Sequence, residues 1–275
     1  MKTFRILKFE FRNYLGFRIS RLGFRSKLGF RILILGFFLL ISMFPQKVDA
    51  GFIVQRPLYI GLTNGLVGYW SFNGADMNAT QARDTSGNGN HGALTNGPTR
   101  TEGKIGQALN FDGVDDYVNM GKPASIGSLV TNITVSAWIN NTNLSGVQRV
   151  IAASRDTTAN GFGFGTLGAG LEFTTFGVKD YDSTTITLTA GVWTHITAVM
   201  SGFNVTFYVN GAARQTITGT ANGNANTDDD IYIGSATVNG ESTLFELFNG
   251  LIDEVRVYNR ALSANEVNRL YNMGR

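Results

Sequence analysis

The chain beyond residue 50 predicts an all-β fold, an antiparallel two-sheet jelly-roll sandwich with a short C-terminal helix. Three observations carry this. Short segments with β-branched or aromatic residues at period two recur along the chain, clusters of Gly, Asn, Asp and Thr separate them, and helical periodicity appears only near the C-terminus. Many strands without interleaved helices build a sandwich or barrel rather than a parallel α/β sheet. Roughly a dozen strands are expected between residues 58 and 260.

The front of the chain is a different kind of sequence. Residues 1–50 hold 10 Lys and Arg against 2 acids, and residues 51–275 hold 13 against 18, so a formal charge of +8 sits ahead of one of −5. The basic block leads into the apolar run Ile32 to Phe44, then Pro45 and Val48-Asp49-Ala50. That order is the pattern of a secretory signal, with cleavage expected after Ala50. The apolar run is shorter than the roughly 20 residues of a membrane span. An uncleaved anchor is the other reading, and its basic side would stay cytoplasmic. Residues 51–64 read as a short linker, and residues 65–272 as the folded domain. An acidic mature part repels phosphates, so nucleic acid is not an expected partner. The chain has no cysteine. An exported domain of this length can bury enough core to be stable without disulfides.

Within the domain, Ile133 to Ile139, Trp193 to Met200, Asn204 to Val209 and Asp230 to Ile233 alternate as strands. Asn210-Gly211 after the third predicts a two-residue hairpin turn, because both central positions need positive φ. Alternation sorts Ile133, Val135, Ala137 and Ile139 to one face with Trp138 opposite. It likewise separates Val205, Phe207 and Val209 from Tyr208, and Ile231 and Ile233 from Tyr232. If these opposed aromatics share a sheet they offer a surface for stacking sugar rings; otherwise a loop or the other sheet covers them. At the end of the domain, Leu251 to Tyr258 alternates as a strand with Leu251, Asp253, Val255 and Val257 on one face. Ser263-Ala-Asn-Glu266 is a capping box that opens a helix from about Ala264 to Leu270. Asp253 is the odd member of its strand face, because a carboxylate among aliphatic residues is costly to bury without a partner.

Further segments complete an ordered set: Leu66 to Asn73 (LVGYWSFN), Asp84 to Gly92 (DTSGNGNHG), and Gly106 to Gly113 (GQALNFDG) leading into Asp116-Tyr-Val118. With the Trp138 strand, the Trp193-Thr-His195 strand and the ending from Gly250 to Ser263, the chain resembles the LamG-like jellyroll family of the concanavalin A-like lectin/glucanase superfamily. The resemblance covers about residues 65–272. It implies an extracellular binding or adhesion module, secreted or at the cell surface, with a glycan or an extracellular protein as ligand. It also implies calcium as a structural ion, whose oxygen donors would be Asn73, Asp84, Asn88 and Asp253. Family members often carry an acid where this chain has Asn73. The inward-looking position of Asp253 points to an ion independently of the resemblance; backbone N–H groups of the Asn90 to Gly92 loop are the alternative partners.

No enzyme is expected. Glucanases of the superfamily resemble one another in a Glu-x-Asp-x-x-Glu strand that supplies paired carboxylates about 5 Å apart, and this chain has none. Asp253 and Glu254 are adjacent, so on a regular strand they point apart. The two histidines, His91 in a loop and His195 on a strand, leave few candidates for a triad, and His195 reads as a buried or cross-strand residue. Gly161-Phe-Gly-Phe-Gly165 has glycine spacing without a following helix, so it reads as strand or loop. The favoured function is therefore a secreted, non-catalytic binding module for a glycan or another cell-surface polymer, with calcium as a structural ion. The alternative is a protein-interaction or adhesion module, with the membrane as a partner only through an uncleaved leader.

Overall fold

Two antiparallel eight-stranded sheets face each other in a computed structural model that describes residues 61–129, 131–153, 161–219, 229–237 and 243–275. The predicted leader, and all but the last four residues of the predicted linker, lie outside the described residues. The first sheet runs β14 (Ala212–Thr218), β13 (Asn204–Val209), β12 (Thr194–Ser201), β7 (Asn132–Asn141), β18 (Asn249–Tyr258), β5 (Gln107–Asp112) and β4 (Thr99–Glu102). Its eighth strand, β1 (Leu66–Trp70), lies on the same side of β18 as β5: β5 pairs with residues 249–252 and β1 with residues 255–258. The second sheet runs β11 (Lys179–Asp182), β10 (Gly170–Thr175), β9 (Phe162–Leu167), β8 (Val147–Ala153), β15 (Ile231–Ile233), β6 (Tyr117–Asn119), β3 (Gly92–Thr95) and β2 (Gln81–Ala82). A small ribbon, β16 (Ala236–Thr237) with β17 (Leu244–Phe245), stands apart. Among the described residues no helix is long and apolar enough to cross a membrane.

The core between the sheets follows from alternation. Ile133, Val135, Ala137 and Ile139 of β7 meet Phe162 and Phe164 of β9 and Phe173 of β10 in one buried apolar cluster, joined by Val205, Phe207, Ile231 and Ile233. At about 25 cal/mol per Å2 of buried apolar surface, these side chains dominate the stability of the sandwich. The predicted hairpin is present: Val209 pairs with Ala212 across Asn210 and Gly211, with φ of 51° and 75°. Ser263 and Glu266 form the reciprocal capping box, and the helix it opens runs Ala264–Met273, three residues longer than predicted.

The structure corrects the face assignment on β18. A bulge between Asp253 and Arg256, with Glu254 at φ 57°, breaks the alternation. A bulge adds a residue to one strand and so exchanges faces on either side of itself. Ile252 points into the core ahead of it and Val255 and Val257 after it, whereas Asp253 pairs with Trp138 on the outer face. The bulge sits where β5 hands over to β1 along the side of β18.

The predicted aromatic stacking surface is absent. Trp138 and Tyr208 share the first sheet and Tyr232 belongs to the second, and the three are only 2%, 7% and 5% exposed. The C-terminal helix is the reason for the first two. Its Val267 and Leu270 pack with Val199, Tyr208, Tyr258 and Leu262 over the outer face of the first sheet, and its Tyr271 lies 5.6 Å from the Trp138 ring.

Candidate functional site

The four predicted metal donors are held in two pairs. Asp84 and Asn88 belong to the loop before β3. Asp84 Oδ1 accepts from the Tyr69 and Ser86 backbone N–H groups, and its Oδ2 from the Asn90 N–H and the Ser86 hydroxyl. Each oxygen thus has two donors, which satisfies a buried carboxylate without an ion. Asn88 Nδ2 donates to the Leu66 carbonyl and to Ser86 Oγ. Asn73 and Asp253 instead grip the turn ahead of β5: Asn73 Oδ1 accepts from Gln107 N–H at 2.9 Å and Asp253 Oδ2 from Ile105 N–H at 2.8 Å. The backbone partner of Asp253 is therefore this turn, and Asn90 binds Asp84 instead. Asp253 Oδ1 is buried without a partner. Burial pushes the Asp253 carboxyl up to about 7; the Ile105 N–H opposes the rise and the Glu254 charge adds to it.

Beside Asp253 the outer face of the first sheet is polar and closed. Glu254 accepts from the Tyr69 hydroxyl at 3.0 and 2.9 Å and pairs with Arg256 at 2.5 Å, while the Arg256 guanidinium lies 4.0 Å from the Tyr69 ring centre. His195 Nε2 lies 2.9 Å from Ser136 Oγ; burial and the Arg256 charge lower its pKa to about 3, so the ring is neutral at physiological pH. A cavity of about 410 Å3 borders this group along Tyr69, Asn73, Ile105 and Leu270, but Tyr69, Glu254 and Arg256 spend their polar capacity on one another.

A third acidic group was not predicted. Asp112, Asp115 and Asp116 each bring one carboxylate oxygen within 4.8 Å of the others, an arrangement able to hold a cation. Burial, together with the Asp112 and Asp115 charges, raises the Asp116 pKa against a hydrogen bond from the Asp112 N–H.

The second sheet carries a different feature on its outer face. Phe162 and Phe164 of β9 face the core, so Gly163 and Gly165 face outward and leave that side of the strand bare. Gly165 stands between Arg149 of β8 and Glu172 of β10, its register partners on either side. With no side chain between them, Arg149 Nη2 reaches Glu172 Oε1 at 2.6 Å across the glycine. Arg149 Nε pairs with Glu246 Oε2 at 2.5 Å, and the Arg149 backbone N–H donates to the Glu246 carbonyl. Glu246 takes φ 55°, a left-handed conformation uncommon for a side chain of its kind.

These groups form one wall of a cavity of about 340 Å3, completed by Phe176 and by Thr174, Lys179 and Asp180. Thr174 Oγ1 donates to Asp180 Oδ1. Burial raises the Glu172 pKa, with the Arg149 charge opposing it. Arg149 is only 2% exposed, yet its Nη1 has no hydrogen-bond partner. Nη1 is itself closed off from solvent, so its N–H groups reach a ligand only if the surrounding side chains give way. Sequence analysis missed Arg149, Glu172, Asp180 and Glu246, which come from separate segments. Gly161-Phe-Gly-Phe-Gly165 was the available signal.

A two-sheet sandwich with a helix over one outer face and a polar cavity on the other defines the class as a concanavalin A-like sandwich domain. The laminin G-type family model described as Concanavalin A-like lectin/glucanases superfamily matches residues 112–268, more than half of the chain, and the chain belongs to this family. No curated protein matches the sequence. Among solved structures, domain 4 of an extracellular GH43 arabinanase from Geobacillus stearothermophilus, in complex with arabinotriose, is 23% identical, with a TM-score of 0.57 over 75% of this chain and 98% of that one. The binding domain of Paraclostridial mosquitocidal protein 1 is 17% identical, with a TM-score of 0.60 over 77% of this chain and 53% of that one. A botulinum neurotoxin DC binding domain in complex with SialylT is 16% identical, with a TM-score of 0.56 over 78% of this chain and 52% of that one. The chain thus spans about half the length of these toxin binding domains, and at such identities the likeness is one of fold.

Proposed function

We propose that this chain is a secreted, non-catalytic binding module that takes a saccharide in the cavity at Arg149. The observation that carries the reading is the polar cavity itself, whose wall is built around the buried Arg149 guanidinium fixed by two carboxylates. Its volume of about 340 Å3 is in the range of small-ligand sites, which run from about 300 to 1,000 Å3. A sugar hydroxyl both donates and accepts, and the walls offer both kinds of partner: the Lys179 ammonium, and oxygens on Glu246, Asp180 and Thr174. The arabinotriose complex of domain 4 of the arabinanase supports a saccharide ligand.

Binding without turnover is supported by the same contacts. Glu172 and Glu246 are both engaged by Arg149, so neither carboxylate stands free to act as the acid or nucleophile of glycoside hydrolysis. Export rests on the basic leader and its apolar run. The test is binding of the purified protein to an array of oligosaccharides, followed by titration calorimetry of the hits with wild type and Lys179→Ala. Saturable binding that the substitution weakens severalfold is the expected result. No binding to any saccharide, with capture of a protein ligand instead, would turn the reading to an adhesion module.

A further inference from the structure

We propose that the Arg149 cavity selects uncharged saccharides and rejects acidic ones, such as uronates and sialylated or sulfated sugars; this rests on the saccharide reading above. Arginine in a sugar site ordinarily suggests recognition of a carboxylate or sulfate by a two-pronged contact. Here that contact is already spent. Arg149 gives Nη2 to Glu172 and Nε to Glu246, and only Nη1 remains. An incoming anion would find that remaining arm closed off from solvent, on a guanidinium whose charge two carboxylates already balance.

The rest of the wall is acidic. Among the described residues the cavity is lined by two cations, Arg149 and Lys179, and three carboxylates, Glu172, Asp180 and Glu246. A further carboxylate, Asp182, stands close enough to Glu172 to raise its pKa. An acidic sugar in the cavity would therefore lie among like charges, which costs free energy in a partly desolvated site. A neutral sugar meets no such penalty, since its hydroxyls can donate to Asp180 and Glu246 and accept from Lys179.

The shape of the site agrees. The Arg149–Glu172 contact passes over Gly165, and a Cβ built on Gly163 would lie 3.1 Å from Arg149 Nε and 3.0 Å from Phe176. The bare side of β9 thus accommodates the guanidinium itself, and its two carboxylate partners hold it there.

The experiment is a matched calorimetric titration of the full chain with neutral oligosaccharides (arabino-, xylo-, gluco- and galacto-series) and acidic ones (oligogalacturonate, a sialylated trisaccharide, a sulfated oligosaccharide) at low and high salt. Wild type, Asp180→Asn and Lys179→Ala are compared. The expected result is binding of at least one neutral series, with every acidic ligand about tenfold weaker or more at low salt. Asp180→Asn, a substitution at an exposed wall position, is expected to narrow that gap severalfold. Acidic ligands bound as tightly as neutral ones by wild type would overturn the selectivity and leave the saccharide reading standing. Binding of neither class, or binding that Lys179→Ala and Asp180→Asn both leave unchanged, would overturn the cavity as a saccharide site and the selectivity with it.

Discussion

Replacing Arg149 by alanine removes a cation in contact with two carboxylates, Glu172 and Glu246, the first of them buried. In the wild type, Glu172 has Arg149 Nη2 at 2.6 Å and Glu246 has Nε at 2.5 Å. Removing one partner of a buried ion pair leaves an uncompensated charge and costs about 3–5 kcal/mol. Glu246 is less buried than Glu172 and can rehydrate, so the lower half of that range applies, about 3–4 kcal/mol. For a domain of this size each kcal/mol lowers Tm by about 2–4 °C, which sets a fall of roughly 6–16 °C. The sign with pH follows from Glu172, whose pKa burial already raises in the wild type against the opposing Arg149 charge. Without Arg149 it rises further, and a carboxyl with a raised folded-state pKa stabilises the native state only where it is protonated. The deficit is therefore smallest at acidic pH and grows as pH climbs through the raised folded-state value. Thermal unfolding of wild type, Arg149→Ala and Arg149→Ala/Glu172→Gln at pH 4.5 and pH 8 checks both points. The double variant is expected to recover most of the loss at pH 8. A fall in Tm of under about 3 °C at pH 8, or an equal deficit at both pH values, would refute the buried ion pair as the organiser of the cavity.

Three further outcomes are expected. Asp253, raised to about 7, stabilises the native state when protonated, so this contribution declines as pH rises from about 4 through 7; Asp253→Asn should flatten that part of the stability profile in denaturant titrations at pH 5 and pH 8. Ser263→Ala removes the side-chain cap of the C-terminal helix and should cost about 1 kcal/mol by chemical unfolding, with hydrogen exchange rising over residues 264–273 and at Trp138. Calcium should raise Tm through Asp112, Asp115 and Asp116, by the equivalent of about 2.7 kcal/mol at a hundredfold excess over Kd, and Asp116→Asn should abolish the rise; identical melting in calcium and in chelator would make the three carboxylates a solvated turn.

What the sequence made legible was local. The hairpin at Asn210-Gly211 and the capping box at Ser263 are set by residues within a few positions of one another, and each predicts its own geometry. The inner faces of β7, β13 and β15 were legible because alternation there is unbroken. On β18 it failed at Glu254, since nothing about a glutamate announces φ 57°. The bulge belongs instead to the pairing of β18 with β7, and it lies where the opposite side of β18 changes partner from β5 to β1, a change visible only once three other strands are placed. That one residue turned Asp253 from an inward oddity into an outer-face carboxylate beside Trp138.

The cavity fails to show in the sequence for a related reason, because Arg149, Glu172 and Glu246 meet only through the order of the second sheet and the return of the chain after β17. Yet part of it was written in Gly161-Phe-Gly-Phe-Gly165. In a strand, alternating phenylalanine and glycine states that one face is core and the other has no side chains. Such a face is occupied by something from outside the strand. Here it is the guanidinium of the neighbouring strand: a Cβ on Gly165 would lie 1.9 Å from the Gln148 carbonyl oxygen, and one on Gly163 would press on Arg149 and Phe176. The glycines therefore separate two roles. Gly165→Ala should disrupt the β8–β9 backbone and destabilise the whole domain, whereas Gly163→Ala should displace the guanidinium by a few tenths of an ångström and weaken ligand binding with little change in Tm. Equal loss of stability in the two variants, read by thermal unfolding, would mean that the bare face serves strand packing alone and that the cavity is its by-product.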